Sequence, residues 1–271
     1  MKIPTPLVLI LLLCLQSASA ISGAAVRCSP QDKKVLLQIK KDLGNPYHLS
    51  SWNTEIQKDC SDWYSLDCDL KTNRVIALTI FQSNLSGQIP PSVGDLSYLQ
   101  QIVFHKLPNL VGTIPQTITK LTHLRRLDVS WTNISGPIPD FISQLNNLNT
   151  LDLSFNYLTG NIPSSLSELA NLNYLNLHGN KLTGSIPDSF GKFKRNPNLY
   201  LIFALTSLDI NHNNIYGSLP QGLTFLNLQF LNVSYNRLCG QIPVGGQLQS
   251  FETTVYFHNR CLCGAPLPAC K

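Results

Sequence analysis

The sequence has little that would mark an enzyme, a membrane protein or a nucleic-acid-binding protein. Beyond residue 20, no apolar run in the 271-residue chain reaches the roughly 20 residues that a bilayer-spanning helix needs. It also has no glycine-rich phosphate loop, no residues at metal-ligand spacing and no dense run of lysine and arginine. The formal net charge of +5 is mildly basic. We therefore expect no cofactor, no metal site, no nucleic-acid partner and no membrane-spanning segment.

The first twenty residues have the three parts of a secretory signal peptide. Lys2 supplies a positive start, Leu7 to Leu15 form a short apolar run, and Ala18 to Ala20 supply small residues for cleavage. A membrane anchor is the alternative, but the run is too short to span a bilayer. The segment predicts a secreted protein that folds in an oxidising compartment.

Cysteine is absent between Cys68 and Cys239, so the cysteines of the mature chain lie only near its two ends. One of the eight, Cys14, would leave with the signal peptide, and seven remain. This placement predicts caps stapled by disulfides, with one thiol left free or paired to another chain. A metal site at Cys261 and Cys263 is the alternative, but their spacing is not that of a zinc site.

A motif of the form L-x-x-L-x-x-L-x-L-x-x-N-x-L-x-G-x-I-P recurs about every 24 residues. Its glycines are Gly87, Gly112, Gly136, Gly160, Gly184, Gly217 and Gly240. This period predicts an α/β solenoid of leucine-rich repeats, a right-handed curved superhelix with a parallel β-sheet on its concave side and disulfide-stapled caps. We assign residues 1–20 to the signal peptide, 21–70 to an N-terminal cap, 71–238 to the repeats and 239–271 to a C-terminal cap. In the N-terminal cap, Ser29-Pro30 followed by apolar residues at helical spacing predicts a helix.

The repeats have one irregularity, at residues 188–205. The step from Gly184 to Gly217 is 33 residues, and the strand-like segments ending at Leu201 and Ile210 lie only 9 residues apart. Nine residues are too few for a complete coil. We infer that about 15 residues of one repeat are absent, and whether whole repeats are absent as well stays open. We expect residues 196–203 to form a loop.

Outward-facing residues of the predicted concave strands form the candidate binding surface. Strand side chains alternate, so the leucines of L-x-L point into the core and the intervening residues point outward. Such an open, mixed aromatic and polar surface favours a large protein partner over a small substrate. The candidate residues are Gln101, Val103, His105, Arg126, Asp128, Ser130, Trp131, Thr150, Asp152, Ser154, Tyr174, Asn176, His178, Asp209, Asn211 and His212.

An enzyme is the competing interpretation, because Asp152, Ser154 and His178 are the residue types of a nucleophilic triad. Repetition explains them better, since Asp-x-Ser also occurs at residues 128–130. An open sheet also lacks the water-excluded pocket that strengthens catalytic electrostatics. We therefore predict a protein that is not an enzyme.

Three Asn-x-Ser sequons are predicted glycosylation sites, at Asn84, Asn133 and Asn232. Asn84 and Asn133 lie beside the turn that follows a strand. Asn232 lies on a strand, where a glycan would cover the candidate surface, so the alternative that it stays unmodified is open.

The sequence resembles plant polygalacturonase-inhibiting proteins over essentially the whole mature chain, and three segments carry the most specific part of the resemblance. Residues 28–41 (CSPQDKKVLLQIKK) resemble the family's N-terminal cap, residues 231–240 (LNVSYNRLCG) its last repeat, and residues 261–270 (CLCGAPLPAC) its C-terminal cap. The resemblance implies a secreted inhibitor in the plant cell wall that acts in defence. It would bind microbial or insect endopolygalacturonases through the concave face, with pectin as a further candidate partner. Two alternatives are an ice- or pectin-binding wall protein of the same fold and a truncated, non-inhibitory family member.

The resemblance also implies a disulfide pattern and a repeat number. The implied disulfides are Cys28–Cys60, Cys239–Cys261 and Cys263–Cys270. Ser61 stands where the family has a second cysteine, which leaves Cys68 as the odd thiol. The family usually carries about ten repeats, whereas seven copies are recognisable here, so part of the concave face would be missing.

Overall fold

The computed structural model of the chain describes residues 28–193 and 205–271. The predicted signal peptide and the predicted loop at residues 196–203 lie outside this range. Within it, no helix combines the length and the apolar character required to cross a membrane. The described residues form a solenoid in which successive coils stack side by side.

The N-terminal cap begins with helix α1 (Pro30–Asp42), which has proline in its first turn as predicted. The side chain of Ser29 makes no capping hydrogen bond, so of the features that predicted the helix only the proline and the apolar spacing are confirmed. Ile39 is buried, as are Trp52 and Trp63, whose rings stack with centroids 5.9 Å apart. The cap therefore covers the apolar end of the first coil.

The structure describes fourteen strands, most of them three to seven residues long. They are β1 (Leu66–Cys68), β2 (Val75–Phe81), β3 (Ser86–Gln88), β4 (Gln101–Gly112), β5 (Arg126–Pro137), β6 (Thr150–Asp152), β7 (Tyr157–Asn161), β8 (Tyr174–Asn176), β9 (Lys181–Thr183), β10 (Ser207–Asp209), β11 (Tyr216–Gly217), β12 (Phe230–Asn232), β13 (Arg237–Gln241) and β14 (Cys261–Cys263). β1 is antiparallel to β2, and β2, β4, β5, β6, β8, β10 and β12 then pair in parallel in that order. This row is the predicted concave sheet.

A second set of strand pairs, absent from the sequence-based prediction, follows the turn at the end of the concave strands. β3 pairs with the end of β4, the end of β5 pairs with β7, and β7 pairs with β9. Further along the solenoid, β11, β13 and β14 pair in that order. The repeat glycines lie here. Gly160, for example, has φ of 75°, which glycine adopts without a Cβ clash.

Short 3₁₀ helices complete each coil on the side away from the concave sheet. In the repeats they are Pro91–Asp95, Gln116–Lys120, Asp140–Gln144, Ser164–Glu168, Asp188–Lys192 and Gln221–Phe225. In the caps they are Tyr47–Leu49, Cys60–Asp62 and Thr253–Tyr256. Each helix in the repeats begins just after an Ile-Pro or Leu-Pro pair, since proline has the φ of a first helical turn and no N–H to leave unpaired.

Buried asparagines of the repeat motif connect successive coils, and we call this series the asparagine ladder. The Asn180 amide nitrogen donates to the carbonyl oxygens of Leu153 and Leu177 at 2.9 and 3.0 Å. Its side-chain oxygen accepts the backbone N–H of Leu158 at 3.0 Å. Asn180 is only 8% exposed. One side chain thus satisfies backbone groups of its own coil and of the preceding coil.

The ladder of asparagines continues across the irregular step. Asn213 makes the same bonds as Asn180, to Leu182 N–H and to the Leu177 carbonyl oxygen, both at 3.0 Å. Its partners are 31 and 36 residues away in sequence, against 22 and 27 for Asn180. In the concave sheet, β10 is the direct neighbour of β8. No strand is therefore inserted between β8 and β10, although the step between them is 33 residues and not 24.

Disulfides close both ends in the pairing that the resemblance implies: Cys28–Cys60, Cys239–Cys261 and Cys263–Cys270. Cys261 and Cys263 are thus both in disulfides, which excludes the metal-site alternative for them. Among the described cysteines, Cys68 is the free thiol. Burial, with smaller effects of Asp32, Asp59 and Asp67, raises the pKa of the Cys68 thiol to about 11. The thiol is therefore protonated, and weakly nucleophilic, at neutral pH.

The C-terminal cap continues the asparagine ladder by one more step. The side-chain oxygen of Asn259 accepts the N–H of Leu238, and its amide nitrogen donates to the carbonyl oxygen of Val233, both at 3.0 Å. This step was not predicted from the sequence, although Asn259 follows Asn236 by 23 residues. The leucine pattern around it is degenerate, which hid the repeat.

Candidate functional site

Parallel register aligns the outward side chains of the concave sheet into rows. One row contains Val103, Asp128, Asp152, Asn176, Asp209 and Asn232, which are matched strand by strand. These strands share three aligned positions, such as Thr150–Asp152 in β6. We call the outward side of these positions, together with the three residues that follow them in each coil, the concave face. All sixteen predicted candidates lie on it.

Five of the sixteen candidates are nearly covered by their neighbours, which narrows the predicted surface. They are Val103 (8% exposed), Asp128 (5%), Ser130 (2%), Ser154 (3%) and Asn211 (3%). Short polar side chains lie low between adjacent strands that are only about 4.8 Å apart. These five support the surface more than they form it. The larger side chains Arg126, Trp131 and His212 are exposed, and the remaining eight are half-buried.

Hydrogen bonds hold the polar side chains of the concave face in fixed positions. Asp152 accepts from the hydroxyl of Ser154 at 2.6 Å and from the amide of Asn176 at 3.1 Å. Asp128 accepts from Arg126 at 2.8 Å and from the hydroxyl of Ser130 at 2.5 Å. A partner would therefore meet a preorganised surface, and binding would cost less side-chain entropy.

Burial changes the titration of the central pair on this face. The Nδ1 atom of His178 lies 4.0 Å from a carboxylate oxygen of Asp209. Burial lowers the pKa of His178, against the attraction of Asp209, and burial raises the pKa of Asp209. Both shifts favour the neutral forms.

A row of stacked rings borders the concave face. We call it the ring ladder; it contains Trp131, Phe155, His178, His212, Tyr235 and His258. Successive ring centroids are 3.7, 4.4, 5.2, 4.1 and 4.1 Å apart. Because the rings cover one another's faces, their edges point outward. A stacked row of this kind offers rigid aromatic contacts to a partner.

The ring ladder depends on a left-handed backbone position that comes directly before the ladder asparagine, or before Thr132 in the coil of Trp131. Trp131, Phe155, His212 and Tyr235 have φ between 50° and 54°. Gly179 takes this position in its coil, and a Cβ there would lie 3.0 Å from the Phe155 ring. His178, one residue earlier, supplies the ring instead.

The sixteen candidates include Trp131, His178 and His212 of the ring ladder and leave out Phe155, Tyr235 and His258. The available signal was an aromatic residue directly before Asn156, Asn213, Asn236 and Asn259, which recurs at the 23-residue step from Tyr235 to His258.

The two Asp-x-Ser pairs of the concave face do not have the arrangement of a nucleophilic triad. The Ser130 hydroxyl lies between its partners, 2.7 Å from Nδ1 of His105 and 2.5 Å from Asp128. In a hydrolytic triad the histidine lies between the serine and the carboxylate. Ser154 likewise donates directly to Asp152 at 2.6 Å. Among the described residues, no group of three His, Cys, Asp or Glu side chains could hold a metal ion.

Family profiles match the two structural parts described above. The profile "Leucine rich repeat N-terminal domain" matches residues 29–69, and two leucine-rich-repeat profiles match residues 122–182, 204–226 and 227–247. The chain is thus a leucine-rich-repeat protein with the corresponding N-terminal cap. It is 52% identical to the polygalacturonase inhibitor of Vitis vinifera over 96% of both chains. It is 53% identical to that of Pyrus communis over 90% of this chain and 92% of the relative. The chain belongs to the polygalacturonase inhibitor family.

Solved structures support the fold. A plant ice-binding protein is 42% identical, with a TM-score of 0.60 over 90% of this chain and 99% of that chain. The leucine-rich-repeat ectodomain of the Arabidopsis thaliana receptor kinase GASSHO1/SCHENGEN3 is 31% identical. Its TM-score is 0.68 over 77% of this chain and 24% of that chain. The fold is therefore shared by proteins with different functions.

The alignments measure how much this chain is shortened. The Vitis alignment runs over 323 positions, whereas 96% of the 271 residues here is about 260. About 60 positions are therefore gaps in this chain, which is close to 15 residues plus two whole repeats of 24. The roughly 60 gap positions and the 33 residues of the irregular step together equal the length of about four regular repeats of 24 residues. The number of gap positions fits the loss of whole repeats in addition to part of one. That the loss lies at the irregular step stays a prediction.

Proposed function

We propose that this protein is secreted to the plant cell wall and acts there in defence, as a non-enzymatic inhibitor of microbial or insect endopolygalacturonases. The observation that carries the proposal is the 52% identity to the Vitis vinifera polygalacturonase inhibitor over 96% of both chains. The predicted signal peptide and the capping disulfides are consistent with an extracellular protein. Glycans are proposed at Asn84, Asn133 and Asn232.

The concave face is the proposed contact surface, and steric coverage of the enzyme's substrate cleft is the proposed mode of inhibition. The surface is open and curved, so it suits a convex protein better than a small ligand. Trp131 is 46% exposed at one end of the ring ladder, where it is packed against Phe155 at 3.7 Å. A large, rigid, half-exposed aromatic side chain is the usual type of interface hot spot.

The test is inhibition of a panel of purified fungal endopolygalacturonases. We expect the secreted protein at micromolar concentration to reduce the activity of at least one enzyme. Trp131→Ala should raise the inhibition constant about thirty-fold, which corresponds to a hot spot of about 2 kcal/mol. Phe225→Ala is the matched control, because Phe225 is 73% exposed on a 3₁₀ helix away from the concave sheet.

Two outcomes would contradict the proposal. Loss of inhibition in both variants equally would move the contact away from the concave face. No inhibition of any enzyme by the folded protein would support the truncated, non-inhibitory alternative. A version with the missing repeats restored should then inhibit if the contact surface has been lost. If that version does not inhibit either, the enzymes tested are not the partner.

Ice binding is a second candidate function, favoured by the 42% identity to the plant ice-binding protein. Thermal hysteresis of the purified protein tests it. A freezing-point gap clearly above that of an unrelated protein at equal concentration would support ice binding, and its absence would leave inhibition as the proposed activity.

A further inference from the structure

A groove of about 500 Å³ separates the N-terminal cap from the first turn of the repeats. One wall is the segment after α1, including Leu43, Pro46 and Tyr47, and the other is the turn at residues 82–86. The groove lies at the N-terminal end of the solenoid, beside the turn that follows β2, and contains none of the sixteen candidate residues of the concave face. Its size is within the range of clefts that hold small ligands.

Tyr47 is the unusual feature of this groove. It is 92% exposed, the largest exposed fraction among the described large hydrophobic residues. The ring is nevertheless carried on a fixed segment, since Leu49 is fully buried and the N–H of Ser50 donates to the Tyr47 carbonyl at 2.9 Å. A single exposed ring is normal on a protein surface, but this one lines a groove and is therefore available to a group that enters it.

Asn84, a sequon residue, lies in the opposite wall. Asn84 and Ser86 are exposed, while Leu85 between them is 3% exposed and anchors the turn. The other two sequons differ. The Asn133 amide donates to the Pro108 carbonyl at 2.7 Å, and the Asn232 side chain accepts from Ser234 within the concave sheet.

We propose that this groove holds the first N-acetylglucosamine residues of an N-linked glycan on Asn84, with the Tyr47 ring as their stacking platform. The apolar C–H face of a sugar ring packs on an aromatic face, and the side chains of Gln82 and Ser86 supply polar partners for hydroxyl and acetamido groups. The glycan would cover the seam between the cap and the first coil. The proposal rests on the secretion included in the proposed function, because the glycan is added in the secretory pathway.

The modification itself is a group transfer from a lipid-linked oligosaccharide pyrophosphate of the host cell. The amide nitrogen of Asn84 loses a proton and forms a bond to C1 of the first sugar. The bond between that C1 and the phosphate oxygen breaks, and the lipid pyrophosphate leaves with the electron pair.

The test uses the full chain secreted from plant cells, compared with Ser86→Ala, which removes the sequon without adding charge. Glycopeptide mass spectrometry first measures occupancy at Asn84. Nitration of Tyr47 by tetranitromethane, followed at the peptide level, then reports whether the ring is covered. We expect at least three-fold slower nitration in the glycosylated protein than in Ser86→Ala. Tyr216, 56% exposed on the second set of strands, is the internal control and should react equally in both.

A double-mutant cycle measures the energetic consequence. Tyr47→Ala should lower the thermal midpoint by about 2 °C more in the glycosylated protein than in the Ser86→Ala background. An unmodified Asn84 in the secreted protein would overturn the proposal, as would equal Tyr47 nitration in both proteins. Failure of either result leaves inhibition of polygalacturonase untouched, since that activity is measured separately.

Discussion

Asn180→Ala tests the claim that buried asparagines hold successive coils together. The substitution removes the Asn180 Oδ1 atom, which accepts the Leu158 N–H at 3.0 Å. The carbonyl oxygens of Leu153 and Leu177 each lose one donor, while Asn156 and Asn213 still reach them at 3.0 Å. The loss is therefore the side-chain acceptor of one buried N–H and one donor at each of two carbonyl oxygens.

These losses give the expected magnitude. An unsatisfied buried N–H costs about 1–3 kcal/mol, and each lost carbonyl bond costs about 0.5–1.5 kcal/mol. We expect the free energy of unfolding to fall by about 2–6 kcal/mol in total. Asn147→Ala is the matched control: its amide also donates to the neighbouring coil, to Thr122 O at 2.7 Å, but in solvent. Water replaces that bond, so the loss should stay below about 1 kcal/mol.

Urea denaturation of the two variants and the wild type measures the stability change, and hydrogen exchange locates it. Solenoids unfold through neighbouring repeats, so the amide of Leu158 should exchange faster in Asn180→Ala even if the global transition is broad. Equal destabilisation by the two substitutions would refute the reasoning, because it would mean that burial of the ladder adds nothing to its hydrogen bonds.

Two further predictions concern the concave face and the irregular step. Burial lowers the pKa of His178 below 6.5, and Asp152, Asp209 and His212 face the same ring. Below pH 6.5 the unfolded chain therefore binds more protons than the folded chain, so the free energy of unfolding should fall as the pH drops. In thermal melts between about pH 7.5 and 5.5, His178→Gln should flatten this decline, and an unchanged slope would contradict the assignment. Gly222→Ala should cost about 1–3 kcal/mol, because its Cβ would lie 2.7 Å from the Gly191 backbone across the step. Ser189→Ala on the same 3₁₀ helix as Gly191 is the control, and equal denaturation midpoints for the two variants would show that the coils can separate there.

Regular spacing made most of the fold predictable. Leucines and asparagines at a 24-residue period specify buried and turning positions regardless of what surrounds them, and the structure places Leu153, Leu177 and Asn180 accordingly. The second set of strands was not predicted, because apolar and polar residues alternate over only two or three positions beside each glycine. Asn259 was missed because the leucines around it are degenerate.

The site was less predictable than the fold. Sequence pattern shows which side of a strand a residue faces, but exposure depends on the neighbours across the sheet. Ser130 and Ser154 face outward and are still covered, whereas Trp131 at a left-handed position projects beyond them. The stacking of Tyr235 on His258, with centroids 4.1 Å apart, joins a repeat to the C-terminal cap and has no signature within either segment.

The sequence by itself determined the period, the buried side of each strand and the membership of the polygalacturonase inhibitor family, because these depend on residue type at fixed spacing along one chain. Only the tertiary structure decided that β8 and β10 become neighbours across the irregular step, which rings stack, and how much of each outward side chain remains exposed. Those properties arise from contacts between coils, and the distance between residues of different coils is not a function of local sequence.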